Sequence, residues 1–381
     1  MPTKILINAL GISDSGGISV FSKLLEECMD ETRFSFIFIC HDNENIQQLV
    51  NHYKESMYIT FYLIRNRGII HRLWFENIYF KSLIKQYGIA LVYNFTGSGQ
   101  FFSKTPQLVK IHNLLFYSKQ LDKAYFKKRQ YLKWLKQIYV KRFVFLTMIR
   151  HAKYIEIQSE HVKYAIADFL TIDNKHFFIK SDIGNLYSYP KYTRQYNFKK
   201  SITFLYIVGP HFSFLHKNII DFIEAMCILN EENIDFSIKI TLTQNQLEES
   251  GLWNNKLNHR TQFLGYIKDK KEIEALFQNN TILISTSIIE TLGLHVIEAT
   301  LNGILTIVPN ENYAKHVYGK DILHYDLFNP KSLVHKISVL LSNDPRECCA
   351  KIKKQKQYLI MNENKKMNTI FEIFNTLIRK S

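Results

Sequence analysis

Residues 281–303, TILISTSIIETLGLHVIEATLNG, pass from strand to helix within a few residues. TILISTS (281–287) is short, apolar and β-branched, the pattern of a buried strand. A loop follows. LGLHVIEATLNG then reads as a helix that ends at Gly303. Glu290 falls just before the helix N-terminus and Glu298 about two turns into the helix. The backbone N–H groups around Leu292–Leu294 would face the same crevice. The stretch therefore offers two carboxylates that can accept hydroxyl groups, beside a donor cluster suited to phosphate. It sits at the carboxyl end of a strand, where α/β domains bind ligands. The plainer reading is that glutamates near a helix start only favour its macrodipole.

The same alternation runs outward in both directions. In the first half, KILINAL (4–10), FSFIFIC (34–40), MYITFYLI (57–64), ALVYNF (90–95), QLVKIHNL (107–114) and YIEIQS (154–159) read as strands. Amphipathic helices lie between several of them. The pattern lapses over 182–200, a polar stretch with a proline, and this reads as a linker. It restarts with strands ITFLYIVG (202–209), FSIKITLT (236–243), QFLGYI (262–267) and LTIVPN (305–310), again with helices between. Strand–helix alternation predicts parallel sheets covered on both faces. The expected fold class is α/β, with two Rossmann-like doubly wound domains facing across a cleft. Residues 1–190 form the first domain and 200–360 the second, with 361–381 as a C-terminal helix crossing back to the first. A cleft between such domains is a preferred ligand site and favours closure over the ligand.

Composition narrows the function classes. The chain has 381 residues, 46% of them hydrophobic, which is normal for a globular protein. No apolar run is long enough to span a bilayer, and the N-terminus enters a strand pattern directly, without the features of a signal peptide. The five cysteines are scattered, with no CxxC, which suits a reducing compartment and argues against structural zinc. The reading is cytoplasmic. The net charge is +15, and residues 101–160 supply roughly two-thirds of it. There KAYFKKRQYLKWLKQIYVKRFVFLTMIRHAKY (123–154) interleaves Lys and Arg with aromatic and aliphatic residues. Such a segment suits an anionic membrane surface. It also suits a solvated helix with a core-facing aromatic stripe. No nucleic-acid-binding pattern accompanies it.

Other strand ends carry candidate chemistry. GISDSGGISVF (11–21) follows the first strand and opens the first helix. Gly16 and Gly17 permit close approach of a ligand to a helix start, although the spacing is not the Rossmann G-x-G-x-x-G and Ser13 or Ser15 can simply cap the helix. His112 ends a strand and suits acid, base or hydroxyl-binding work, or is a partly buried satisfied histidine. NFTGSG (94–99) is a small-residue loop at another strand end. Lys217 precedes a long helix, where a point charge can meet a diphosphate, or where a lysine is simply solvated. FLGYI (263–267) can pin a base through its backbone and stack it on Tyr266.

With DSGGIS, IHN, QSEHVK, HKN, FLGYI and above all ETLGLHVIE in view, the chain resembles a retaining glycosyltransferase of family 4, of GT-B fold and of the bacterial surface-polysaccharide (O-antigen or capsule) type. The resemblance covers nearly the whole chain. It implies that Lys217 binds the donor diphosphate, that Glu290 contacts donor-sugar hydroxyls, and that Glu298 holds the ribose. Backbone N–H groups near Thr291, Leu292 and Gly293 would lie on the phosphates, and Ile267 near the base. Gly16 and Gly17 would face the diphosphate from the first domain, and His112 would sit near the transferred sugar and the acceptor. Catalytic weight then falls on Glu290, Lys217 and His112. No metal or cofactor is implied beyond the nucleotide-sugar co-substrate. The partners implied are that donor, a glycan or polyprenyl-diphosphate-linked glycan acceptor, and the anionic inner face of the cytoplasmic membrane, with the protein peripheral there and no nucleic acid. Alternatives are another nucleotide-sugar enzyme of the same fold, such as an epimerase, or a non-catalytic sugar-nucleotide-binding subunit. One departure stands out. The family commonly has an Arg shortly before its Lys, but here the segment is GPHFSFLHK (209–217). His211 or His216 would have to share the charge.

Overall fold

The computed structural model describes residues 2–12, 15–54, 56–65, 68–101, 103–183, 186–190, 192–267 and 269–379. Within these it divides into two compact units: Met1–Tyr117 with Leu132–Asp182 and Lys366–Ser381, and Ser118–Tyr131 with Ile183–Lys365.

The first unit is built as β1 (Thr3–Ala9), α1 (Ser15–Met29), β2 (Phe34–His41), α2 (Glu44–Tyr53) and β3 (Ile59–Ile64). Next, α3 (Ile69–Trp74) runs through a π-helical turn, Phe75–Tyr79, into α4 (Phe80–Tyr87). β4 (Leu91–Asn94) and β5 (Gln107–Ile111) follow. The chain then forms α5 (Lys119–Lys127), which groups with the second unit. α6 (Tyr131–Trp134) continues through a second π-helical turn, Leu135–Tyr139, into α7 (Val140–His151). β6 (Tyr154–Ile157), α8 (Glu160–Ala167) and β7 (His176–Ile179) complete the sheet. Seven parallel strands take the order β3-β2-β1-β4-β5-β6-β7.

Alternate residues of each strand feed opposite layers, because side chains alternate across a strand. Ile5, Ile7, Phe36 and Phe38 enter one core, while Leu6, Ile37 and Ile39 enter the other. A buried ion cluster joins several elements. Lys110 on β5 donates to Glu156 on β6 at 2.8 Å and lies 2.7 Å from Asp182. Lys180 reaches Glu27 on α1 at 2.9 Å.

The second unit has β8 (Ile202–Tyr206), α9 (Ile219–Glu231), β9 (Phe236–Ile240), α10 (Gln244–Glu249), β10 (Thr261–Phe263), α11 (Lys270–Ala275), β11 (Thr281–Ile284) and α12 (Leu294–Leu301). β12 (Leu305–Pro309), α13 (Asn312–Tyr318), β13 (Leu323–Tyr325), α14 (Pro330–Ser342) and α15 (Pro345–Glu363) follow. Its six parallel strands are ordered β10-β9-β8-β11-β12-β13. Phe204, Ile282 and Ile307 face one core; Leu205, Leu283 and Val308 face the other. The last helix, α16 (Ile370–Ile378), belongs to the first unit and buries Ile370, Ile373, Phe374 and Leu377 against β1, β2 and β4.

The two doubly wound units match the expected class. Boundaries differ in detail. The first unit ends at Asp182, not 190, and Ser118–Tyr131 packs with the second, where Gln120 donates to Glu311 at 3.3 Å. Strands also stop short of the apolar runs that announced them. QLVKIHNL pairs only through Ile111, so His112 lies one residue past the strand, and QFLGYI pairs only through Phe263. β7 and β13 escaped the sequence reading because HFFI and LHY are too short to show a period. Among the described residues no helix is long and apolar enough to cross a membrane.

Candidate active site

In the second unit two strand-end loops are tied together. After β8 the chain makes a 3-10 turn, Leu215–Lys217, and Asn218 takes a left-handed conformation (φ 45°) before α9. After β11, residues 285–293 lead to α12. The Ile288 N–H donates to the His216 carbonyl at 2.7 Å, and the Thr286 hydroxyl donates to the Lys217 carbonyl at 2.9 Å. The Tyr206 hydroxyl reaches the Thr286 hydroxyl at 2.8 Å, and the Tyr313 hydroxyl donates to the Ser287 carbonyl at 2.6 Å. These bonds fix Lys217 against Glu290, whose Nζ and Oε1 are 2.7 Å apart.

The electrostatics follow from that pairing. Burial pushes the Glu290 carboxyl up, but the charges of Lys217 and His295 and hydrogen bonds from Lys217 and Ser287 outweigh it and hold it at about 2. His295, on the first turn of α12, has its Nε2 3.1 Å from the Ser285 hydroxyl oxygen. Burial lowers it to about 4 against the pull of Glu290. His216 is lowered to about 4 as well, by burial first and then by Lys217. In the free protein, burial and the Lys217 charge therefore favour the neutral form of His216.

Gly293 caps α12 at φ +59°, a conformation that favours glycine. A Cβ there would stand 2.0 Å from the Tyr318 hydroxyl oxygen and 3.4 Å from Glu290 Cγ. That hydroxyl is buried and has no hydrogen-bond partner among the described residues. Leu292 is buried beneath the same turn, with Ile267 packed on the same apolar cluster. Thr291 precedes it, half-buried. Glu298, about one helical turn beyond Leu294 and so one turn into α12 rather than the two expected, is half-buried. Tyr189 senses it: burial first, then the Glu298 and Glu274 charges, raises that phenol. Gly265 is left-handed (φ +69°) and Tyr266 is exposed. Lys217, Glu290, Leu292 and Gly293 thus converge on the α12 N-terminus, with Glu298 further along the same helix.

In the first unit, a pocket of about 540 Å³ opens beside the end of β5. His112, Asn113 and the loop residues Thr96, Gly97 and Ser98 line it, together with Arg72 on α3 and Lys141 and Phe145 on α7. Its polar wall is a network. Arg72 Nε bonds Glu76 at 2.7 Å, and Arg72 also donates to the Thr96 and Ser98 hydroxyls, each at 2.5 Å. Asn8 Nδ2 and the Ser98 hydroxyl both donate to Glu76 Oε1 at 2.7 Å. Gly16 and Gly17 fall in the first turn of α1, and Gly17 is not among the described residues that line this pocket; Ser13 lies outside the described residues. Arg72, Glu76, Tyr318 and His295 were missed from sequence. None sits in a loop pattern that flags a site, and Tyr318 meets Gly293 only through tertiary packing.

Residues 190–358 match the family described as Glycosyl transferases group 1. No curated protein sequence matches the chain. Many solved structures do. HepE of Anabaena, solved in complex with UDP and glucose, has a TM-score of 0.66 at 13% identity, covering 98% of this chain and 100% of that one. Sucrose-phosphate synthase from Thermosynechococcus elongatus has 0.66 at 14%, covering all of both chains. The lipopolysaccharide outer core galactosyltransferase WaaB has 0.61 at 15%, covering 99% of each. At these identities the likeness shows the fold, which is the two-domain GT-B fold. The family match, over residues 190–358, supports glycosyl transfer.

Proposed function

We propose that this protein is a retaining hexosyltransferase that moves a sugar from a nucleoside-diphosphate donor to a hydroxyl of a glycan or polyprenyl-diphosphate-linked glycan. The Lys217–Glu290 pair beside the N-terminus of α12 carries the reading. As the bond from the anomeric carbon to the diphosphate breaks, charge builds on the leaving phosphate. Lys217 and the N–H groups of Thr291–Gly293 stabilise it. The acceptor oxygen bonds the anomeric carbon from the same face, and its proton passes to the departing phosphate oxygen. Glu290 orients the donor sugar, and Glu298 holds the ribose with Ile267 near the base. His112, in the first-unit pocket, serves the transferred sugar and acceptor. Gly16 and Gly17 allow backbone approach to the donor at the start of α1. With Lys217 placed where charge develops, we assign no role to a metal. Turnover unchanged in EDTA is the expected result.

The pathway we favour is assembly of bacterial surface polysaccharide, O-antigen or capsule, by a cytoplasmic protein peripheral to the inner membrane face. The basic aromatic stretch 123–154 supports that placement. The deciding experiment incubates the protein with a panel of nucleotide sugars, with and without acceptor glycans. Nucleoside-diphosphate release that needs acceptor, with an axial-to-axial or equatorial-to-equatorial product by NMR, supports the reading. Inverted product overturns retention. Isomerised donor without release identifies an epimerase, and binding without turnover identifies a binding subunit.

A further inference from the structure

Buried tyrosines surround the Glu290 carboxylate in the second unit, and they are not alike. The Tyr206 hydroxyl is bonded to that of Thr286 at 2.8 Å, and the Tyr313 hydroxyl donates to the Ser287 carbonyl at 2.6 Å. Tyr318 is 1% exposed, and its hydroxyl has no hydrogen-bond partner among the described residues. Burial raises all of these phenols and the Glu290 charge adds to each, so every one of the hydroxyls lies within the field of that carboxylate. A buried hydroxyl normally has a partner, because the water that would serve it has been removed. One left unpaired beside a carboxylate of the candidate site calls for a reason.

Its surroundings supply one. Tyr318 ends α13, and Gly293, the N-cap of α12, lacks the side chain that would take the hydroxyl's place. A Cβ there would stand 2.0 Å from Tyr318 Oη and 3.4 Å from Glu290 Cγ. The hydroxyl and the Glu290 side chain thus border one small space behind the first turn of α12. The Tyr318 ring is held fast. It meets the Tyr313 ring edge-on, with centroids 6.3 Å apart, in the apolar cluster of Leu292, Val296 and Val317. Directly after it Gly319 turns the chain at φ +88°, where a Cβ would stand 2.8 Å from the Tyr358 ring. Glu290 is the freer partner: it lies in the loop between β11 and α12, and its side chain is 16% exposed.

Lys217 decides when the two meet. In the free protein its ammonium lies 2.7 Å from Glu290 Oε1. A diphosphate at the N-terminus of α12 offers that ammonium a second anion. As Lys217 turns to it, Glu290 loses its cation in a largely buried place, where a carboxylate short of donors is unfavourable. His295 Nε2 is already engaged with the Ser285 hydroxyl at 3.1 Å. The Tyr318 hydroxyl is the donor beside Glu290 that has no other bond to break.

We infer that Tyr318 is a positioning residue of the donor site: its hydroxyl is unpaired in the free protein and bonds the Glu290 carboxylate when a nucleoside diphosphate draws Lys217 away. That role rests on the reading of Lys217 as the partner of the diphosphate. The new bond is charge-assisted, one of the stronger kinds, and it holds Glu290 in one orientation while Lys217 is occupied. The free protein is then less stable than its fold allows, and the bound one has its donors and acceptors matched.

The test is calorimetric titration of the full chain with UDP, GDP and ADP, beside thermal melts of the free protein. Tyr318→Phe removes only the hydroxyl. Its free form is expected to melt above wild type, and to bind whichever diphosphate wild type binds about tenfold more weakly. In a Glu290→Ala background the same substitution should leave affinity unchanged, since the hydroxyl acts through that carboxylate. A hydroxyl with a merely structural role would move the melt and leave affinity alone. Affinity equal to wild type, or a loss of affinity that persists without Glu290, overturns the inference. So does a free Tyr318→Phe protein that melts below wild type, since the hydroxyl would then already have a partner such as a buried water. Failure of the donor reading looks different: wild type binds none of the diphosphates, or binds one equally well after Lys217→Ala, and the inference falls with it.

Discussion

Lys217 Nζ stands 2.7 Å from Glu290 Oε1, so the cation assigned to the donor diphosphate is already paired before the donor arrives. Such a pair acts as a unit: removing either partner strands the other in a largely buried site. Lys217→Ala and Glu290→Ala are each expected to cut turnover by about a hundredfold to a thousandfold. The double variant should lose little more than either single one, because groups acting together are non-additive. Steady-state kinetics with circular dichroism as the folding control checks this. Single variants near wild-type rate remove the assignment.

Tyr318 offers a prediction of opposite sign. Its buried hydroxyl lies against Gly293 with no hydrogen-bond partner among the described residues, and such a group costs about 1–3 kcal/mol. Tyr318→Phe should therefore stabilise the free protein. Gly293→Ala should destabilise it, by the left-handed backbone and by the collision with the hydroxyl, about 1–3 kcal/mol for the overpacking alone. In the Tyr318→Phe background the collision eases while the backbone strain stays. Urea denaturation of the four-member cycle tests the coupling; additive effects would contradict the contact.

Acid should weaken the second unit in two steps. His216 and His295 titrate at about 4 in the folded state against an ordinary 6.5. The unfolded chain therefore takes up protons first as pH falls from 6.5 toward 4, and folding loses stability over that window. Glu290, held at about 2 against 4.5, contributes stability above 4.5 that is lost as pH falls toward 2. Thermal melts across pH should show both, and His216→Asn/His295→Asn should flatten the upper step and, by taking the His295 charge away from Glu290, move the lower one toward higher pH. An unchanged upper step would show that the two imidazoles are not the cause.

Phe374 tests the first unit in the same spirit. It is fully buried in α16, with ring centroids 6.1 Å from Phe34 and 5.4 Å from Tyr93. Phe374→Ala should cost about 3–5 kcal/mol. Hydrogen exchange should show the loss in β1, β2 and β4 and spare β8 to β13. Equal loss in both units would mean that they unfold as one.

Much of this was legible in the sequence because burial on both sheet faces writes itself as apolar, β-branched runs. Strands such as KILINAL and TILISTS needed nothing else. The residues proposed for the donor were legible as a group for another reason: Glu290, Gly293 and Glu298 lie on one continuous strand–loop–helix. Lys217 comes from a separate loop and was placed with them by analogy; its 2.7 Å contact is a tertiary fact. Arg72 and Glu76 are a local i,i+4 pair, but Asn8 meets Glu76 across 68 positions, which no local period shows. The neutrality of His216 was also hidden, since it comes from burial and from Lys217's charge, neither of which a string of letters records.

The chain begins and nearly ends in the same unit. α16 supplies Ile370, Ile373, Phe374 and Leu377 to a core whose first strand starts at Thr3. During synthesis the order of completion is therefore the reverse of the order of emergence. Residues 118–131 and 183–365 can close their own cores once they leave the ribosome, while the earlier-made sheet, covered on that side by α1 and α2, still lacks the part of its core that α16 supplies. A chain halted between residues 183 and 369 leaves that part exposed, an apolar patch open to aggregation or to a chaperone.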